Sequence, residues 1–403
     1  MVVKDNVIME FLKVINLKAK YRFHIIGLVH LPCSKKYLGC AFTQKNLKLA
    51  KMLMDKGHEV YYYGAEGSDV PCTKFIQTHT IKQIANTWGD GDNRFEIGYD
   101  WKATGFRHDF NTTRTPLTNY FNQKVAEEIN KIKQPDDFLV VTMGTYQKPI
   151  VDAVKLFLTV ETGIGYRGSF AKYRAFESTY IQNFTYGSQH PFESINGNYY
   201  DRVIPNYFDK EDIEFSETPK DYYLYIGRLI QRKGVLTAIK ACNFLNKKLL
   251  IAGQGGKVVD GKLIGEDFEA EPGTWEYIGY VDLEERKKLF AGAIATFVPT
   301  EYLEPFAGTH VESMLSGTPV ITTDFGVFPD TVINGVNGFR CHTLQDFVYG
   351  AVKAPGLNRI GVAKLAEKYL MDNVVYLYLQ WFDELHNVWE STISDKKGWH
   401  RLE

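Results

Sequence analysis

Glu304 and Glu312 stand eight residues apart in the stretch Glu304-Pro305-Phe306-Ala307-Gly308-Thr309-His310-Val311-Glu312, and Ser316-Gly317-Thr318-Pro319-Val320 follows. In one continuous helix they would lie about 12 Å apart along the axis. Pro305 and Gly308 interrupt that helix, so the spacing predicts Glu304 on a loop and Glu312 in the first turns of a helix starting near Gly308. The N–H groups at Gly308 and Thr309 would then face outward as an anion site. A diphosphate docked there would have a carboxylate on each side, each able to accept hydrogen bonds from sugar hydroxyls. The alternative is an ordinary helix with two solvated glutamates.

Cations that could meet such a diphosphate lie upstream. Tyr222-Tyr223-Leu224-Tyr225-Ile226-Gly227 reads as a buried strand, and Arg228-Leu229-Ile230-Gln231-Arg232-Lys233-Gly234 follows it directly. Open parallel sheets bind ligands outside the carboxyl ends of their strands. There Arg228 can fork onto phosphate oxygens and Lys233 can act as a point charge. Arg232 reads as an ordinary surface cation.

These residues resemble a known family. Val203-Ile204-Pro205-Asn206, Gly227-Arg228 with Lys233, Ile251-Ala252-Gly253-Gln254-Gly255, Gly279-Tyr280-Val281, Glu304-Pro305-Phe306 through Glu312, Ser316-Gly317-Thr318-Pro319-Val320 and Asn334-Gly335-Val336-Asn337-Gly338-Phe339 occur in the order seen in retaining GT-B glycosyltransferases of family 4. The resemblance is strong over residues 200–345 and weak before them. Two departures stand out. Ala307 replaces a usual glycine, which requires a negative φ there if the added methyl is to be tolerated. Val327 and Asp330 sit where the family often carries a second glycine and a glutamate.

The resemblance implies two Rossmann-like doubly wound α/β domains facing a cleft. It implies transfer of a sugar from a nucleoside-diphosphate sugar to a glycan, lipid-linked or other hydroxyl acceptor, with retention of configuration. Arg228 and Lys233 would neutralise the leaving diphosphate, helped by the helix start at Gly308 and Thr309, with Phe306 and Ala307 beside it. Glu304 would hold hydroxyls of the donor sugar and Glu312 those of the ribose. Tyr280 and Val281 would meet the base, and Gly39 and Gly227 would let backbone approach the phosphates. Glu161, at the end of a predicted strand, and His108, in a polar segment, are the acceptor-side candidates. No cofactor and no metal are expected, because protein cations take the leaving-group role. A nucleotide-sugar epimerase or phosphorylase on the same scaffold, or a catalytically silent nucleotide-sugar-binding protein, are the competing readings. The intact Arg228, Lys233, Glu304 and Glu312 weigh against a silent protein.

Composition agrees with two α/β domains. The 403 residues suffice for two domains of ordinary size. Lys+Arg of 47 against Asp+Glu of 48 leaves a net charge of -1, which gives no drive toward nucleic acid. Five cysteines without metal-type spacing read as reduced thiols in a cytoplasmic setting. No apolar run is long enough to span a membrane. The apolar stretch Val7-Ile8-Met9-Glu10-Phe11-Leu12-Lys13-Val14-Ile15 is interrupted by Glu10 and Lys13 and reads as a helix packed on the domain rather than one on a membrane surface. Asp90-Gly91-Asp92 resembles a metal-binding pair, yet its Gly/Asp-rich setting reads as a solvated turn.

The elements that must position the site alternate between strand and helix, which predicts parallel sheets. Strands are expected near residues 24–29, 58–63, 138–142, 156–160 and 180–184, and a helix over 42–56 stopped by Gly57. Residues 73–121 are polar and poorly periodic and read as one long binding loop. The acidic, turn-rich residues 210–220 read as the linker between a first domain of residues 1–209 and a second of 221–370. The aromatic helix over 373–390, within the segment 371–403, is expected to pack back on the first domain.

Overall fold

The computed structural model describes residues 20–37, 39–88, 115–189 and 197–393. Residues 7–15, the Asp90 and Asp92 pair and His108 lie outside them. The described chain divides into two compact units, one from residues up to 207 plus the C-terminal helix and one from 208–370. Residues 210–220, read above as the linker, count with the second unit.

The first unit is built on a parallel sheet of β1 (Arg22–Ile26), β2 (Glu59–Ala65), β3 (Lys74–His79), β4 (Phe138–Val141), β5 (Thr159–Ile164), β6 (Tyr173–Phe176) and β7 (Arg202–Val203), in the order β3-β2-β1-β4-β5-β6-β7. Its helices are α1 (Ala41–Asp55), α2 (Ile81–Trp88), α3 (Pro116–Ile132), α4 (Lys148–Val154) and α5 (Thr179–Gln189). Leu47, Ala50 and Leu53 of α1 are buried, as their spacing requires, and Gly57 leaves the helix at φ 82°. The C-terminal helix Met371–Ile393 completes this unit's core. Its Phe382 ring lies 4.8 Å from that of Phe23 and 5.0 Å from that of Phe138.

Three expectations need correction here. Residues 180–184 are not a strand but part of α5. Tyr180, Ile181 and Phe184 suggest β-propensity, yet Ile181 and Thr185 are the buried pair, one helical turn apart. Ser178 accepts from the Ile181 N–H at 3.4 Å, as a residue before a helix does. Residues 73–121 are not one loop, since β3, α2 and the start of α3 fall inside that span. The third correction is Glu161. It is fully buried in β5, where Tyr166 donates to Oε1 at 3.0 Å while the Phe170 and Ala171 N–H groups donate to Oε2 at 2.8 and 3.0 Å. Burial raises its pKa against the pull of these donors. Its carboxylate ties together the connection after β5 and has no exposed face to offer an acceptor.

The second unit has a parallel sheet of β8 (Tyr223–Ile226), β9 (Leu249–Ala252), β13 (Trp275–Gly279), β14 (Thr296–Val298), β15 (Val320–Thr323) and β16 (Gly338–Cys341), in the order β13-β9-β8-β14-β15-β16. Between β9 and β13 lies a small antiparallel sheet of β10 (Lys257–Val259), β11 (Lys262–Ile264) and β12 (Glu269–Ala270). The helices are α6 (Val235–Leu245), α7 (Leu283–Gly292), α8 (Gly308–Leu315), α9 (Phe328–Thr331), α10 (Leu344–Lys353) and α11 (Arg359–Ala366). Both faces of β8 are buried: Tyr223 and Tyr225 join one cluster, Leu224 and Ile226 another. A strand covered on both faces reads as a continuous apolar run, which is how this one showed in the sequence. In each sheet the first strand, β1 or β8, lies where the strand order reverses. Among the described residues no helix is long and apolar enough to cross a membrane.

Glu161→Ala should cost about 3 kcal/mol or more, because it leaves two backbone N–H groups and a phenol without their acceptor. Thermal unfolding should show a midpoint lowered by roughly 6–12 °C. A midpoint equal to that of the unaltered protein would return Glu161 to the acceptor candidates.

Candidate active site

The site is built at the carboxyl ends of β8 and β14, neighbours at the point where strand order reverses. After β8 the chain makes a loop that ends in a short 3-10 turn, Gln231–Lys233, and enters α6 through Gly234 at φ 75°. A Cβ on Gly234 would stand 1.8 Å from the Pro299 carbonyl oxygen, so only glycine lets this loop lie flush on the exit of β14. The two backbones are also joined by the Glu301 N–H, which donates to the Arg232 carbonyl at 2.8 Å.

That contact brings Lys233 to Glu304. Lys233 Nζ donates to Glu304 Oε2 at 3.1 Å and to the Tyr302 hydroxyl at 2.5 Å. The Tyr302 ring lies under two of the loop's three cations, with Lys233 Nζ 4.9 Å and the Arg232 guanidinium 5.2 Å from its centroid. Burial and the adjacent Glu304 charge raise the Tyr302 pKa, so the phenol keeps its proton. Glu304 is itself buried, 7% exposed, and its backbone is held by the Val327 N–H, which donates to its carbonyl at 3.0 Å. Val327, one of the two departures from the family pattern, is thus a core residue that fixes Glu304 by its backbone. Asp330 stands exposed in the first turn of α9.

Arg228 points elsewhere. Its Nη2 lies 3.2 Å from Glu266 Oε2, on the turn between β11 and β12. Glu312 sits in α8, as expected, and both its oxygens are taken by one guanidinium: Arg286 Nε donates to Oε1 at 3.0 Å and Nη2 to Oε2 at 2.5 Å. Arg286 stands on α7, and its distance of 26 residues from Glu312 left no trace in the sequence. Tyr302 and Arg286 are the residues that motif reading missed. Tyr302 was legible only as an aromatic two residues before Glu304.

Helix α8 does start at Gly308, so Gly308 and Thr309 open it with the N–H groups that a helix start leaves without partners. Ala307 is the surprise. Its φ is +59° and ψ is 67°, not the negative φ that an alanine requires for comfort. Left-handed backbone costs a non-glycine residue about 1–2 kcal/mol, which accounts for the usual glycine at this place. Two hydrogen bonds to the Ala307 carbonyl offset that cost, the first from the His310 N–H at 3.0 Å. His310 Nδ1 lies 2.5 Å from the Ala307 carbonyl, and since a carbonyl only accepts, Nδ1 carries the proton. Burial lowers the His310 pKa to about 4, so this imidazole is neutral near pH 7 and adds no positive charge to the helix start. Phe306 is buried against Phe208, His310 and Tyr369, so its side chain is core and only its backbone could meet a donor.

Of the other expected positions, Gly227 follows β8 and its N–H donates to the Ala252 carbonyl at 3.0 Å. Tyr280 is half-buried at the end of β13, and Val281 packs its side chain into the core with Leu224 and Phe290. Any contact of Val281 with a base would therefore be through backbone. Gly39 is exposed in the turn before α1, in the first unit.

Two doubly wound units, the second with cations and carboxylates at the carboxyl ends of its first strand and that strand's neighbour, define the GT-B class. Solved structures share the fold along nearly the whole chain. A glycosyltransferase involved in avilamycin A biosynthesis matches with a TM-score of 0.62 at 16% identity, covering 91% of this chain and 98% of that one. The sucrose-phosphate synthase of Thermosynechococcus elongatus matches with a TM-score of 0.60 at 14% identity, covering 92% and 100%. Anabaena HepE, in complex with UDP and glucose, matches with a TM-score of 0.57 at 12% identity, covering 89% and 98%. Residues 208–346 match the family model described as Glycosyl transferases group 1. Over 122 residues the chain is 33% identical to an uncharacterized glycosyltransferase of Methanocaldococcus jannaschii, covering 28% of this chain and 30% of that protein. Over 126 residues it is 33% identical to glycogen synthase of Mycobacterium tuberculosis, covering 29% of each. The chain thus spans less than a third of the length of these curated relatives. The family match falls within the second unit.

Ala307→Gly removes the left-handed strain at the cost of some extra chain entropy, and should stabilise the protein by up to about 1 kcal/mol. The thermal midpoint should rise by roughly 2–4 °C. A lower midpoint would mean that the methyl packs to more advantage than the backbone loses.

Proposed function

We propose that this protein transfers a sugar from a nucleoside-diphosphate sugar to a hydroxyl acceptor, with retention of configuration and without a metal ion. The observation that carries the reading is the meeting of Lys233 and Glu304, 71 residues apart in the chain, at the carboxyl ends of β8 and β14. An ammonium has three donors. Two of those on Lys233 go to Tyr302 and Glu304, and the third would serve a phosphate oxygen. Arg228, on the same loop, adds a guanidinium that can fork onto the diphosphate. As the glycosidic bond breaks, negative charge grows on the departing diphosphate, and fixed cations there stabilise the transition state more than the ground state. The start of α8 contributes N–H groups of the same sign.

Glu304 has a second task. Each carboxylate oxygen can accept two hydrogen bonds, so holding Lys233 leaves room for hydroxyls of the donor sugar. Glu312, pinned by Arg286, would accept hydrogen bonds from the ribose hydroxyls. Retention is assigned on family resemblance, and no side chain is named as nucleophile. Two structurally similar proteins, Anabaena HepE and the pneumococcal O-GlcNAc transferase GtfA, were crystallised with UDP. UDP is therefore the first nucleotide to try.

The donor orientation is tested by comparing four variants. Arg228→Ala and Lys233→Ala should each lower kcat/KM by a factor corresponding to about 3 kcal/mol, with folding unchanged. By calorimetry, Glu312→Gln should weaken binding of UDP alone. Glu304→Gln should bind UDP normally and transfer poorly, since the amide loses the charge-assisted bonds to sugar and lysine. Loss of UDP binding in Glu304→Gln, or its retention in Glu312→Gln, would reverse the orientation.

A further inference from the structure

The connection between β9 and β13 is where a doubly wound sheet ordinarily carries a helix. Here it carries the antiparallel sheet β10–β12, and the turn between β11 and β12 comes to rest on the loop after β8. Three contacts join them. The Glu266 N–H donates to the Leu229 carbonyl at 3.1 Å, and the Glu266 carboxylate meets Arg228 at 3.2 Å. The Gln231 N–H donates to Asp267 Oδ1 at 2.6 Å. The turn itself is firm. Gly265 N–H closes it onto the Phe268 carbonyl at 2.9 Å, and Leu263 and Ala270 on either side are buried in the unit's core, with Phe268 packed against them. A side chain at Gly265 would strike the Phe268 ring, at 2.1 Å from its nearest atom, so Gly265 is required for this packing.

We propose that Asp267 is a positioning residue for the donor-phosphate cations. The inference rests on the donor-site reading given above. Gln231 opens the 3-10 turn Gln231–Lys233, and the N–H at such a start has no partner within the turn. Asp267 supplies the missing acceptor from a different part of the chain, as a capping side chain does at a helix start. Arg228 lies three residues before Gln231 and Lys233 two after it, so fixing this one backbone N–H fixes the segment from which both cations project. Asp267 is exposed, so its removal should leave the unit's core in place.

The experiment is UDP binding by calorimetry, together with KM and kcat for the donor, on the full chain. Asp267→Ala should weaken UDP binding and raise KM about fivefold, and lower the thermal midpoint by no more than roughly 2–4 °C, as the loss of a cap does. Asp267→Asn should restore binding to within about twofold, because its amide oxygen accepts the same hydrogen bond. A merely structural role would lower the midpoint and leave UDP binding and KM unchanged. Three results would overturn the proposal. Asp267→Ala could bind UDP like the unaltered protein while Arg228→Ala binds it weakly, which removes Asp267 and keeps the donor site. Asp267→Asn could behave like Asp267→Ala, which makes the charge and not the hydrogen bond the cause. Or Arg228→Ala could bind UDP normally, which removes the donor-site reading and this proposal with it.

Discussion

The close approach of two backbone segments at the reversal point of the second sheet is the constraint on which the site depends. Gly234 lies against the Pro299 carbonyl, and a Cβ on Gly253, after β9, would stand 1.7 Å from the Gly227 carbonyl. Parallel strands end side by side, so the loops leaving them compete for the same space above the sheet. Glycine at these points settles that competition by removing side chains. Lys233 then reaches Glu304 by geometry, with Tyr302 filling the space under the loop. A larger residue at Gly234 would push the loop away from Pro299 and separate the two charges before any chemistry began.

Charge is distributed in the unit so that each proposed ligand-binding group is held by a partner already. Lys233 is held by Glu304 and Tyr302, Arg228 by Glu266, and Glu312 by Arg286. Such pairs at partly exposed positions contribute little to stability. Their value lies in orientation, because a side chain whose rotamer is already fixed loses less freedom when it binds. His310 extends the logic to a neutral group: its ring supports the strained Ala307 turn, and burial keeps it from carrying charge into the helix start.

Much of this was legible in the sequence where a local rule applied. The apolar run of β8, the glycine stop after α1, and the Pro/Gly break that separates Glu304 from the helix of Glu312 each follow from short-range stereochemistry. Arg228, Lys233 and Glu304 were legible as motif positions. What was hidden depended on contacts distant in the chain. The partner of Glu312 stands on another helix, and Asp267 belongs to an insertion with no motif. Glu161 looked like a strand-end carboxylate, and only the fold shows three donors converging on it. At residues 180–184 aromatic content suggested a strand, whereas the spacing of Ile181 and Thr185 suited a helix. The sign of φ at Ala307 followed family habit in the notion that alanine needs a negative value, and the turn imposed the opposite.

The account's central claim is that protein cations, not a metal, carry the departing diphosphate. The most direct test incubates the protein, in excess EDTA, with a panel of nucleotide sugars and measures release of nucleoside diphosphate. The expected result is release from at least one donor at a rate that chelation leaves unchanged. Release abolished by EDTA and restored by Mn²⁺ or Mg²⁺ would contradict the account and move the leaving-group role to a metal site.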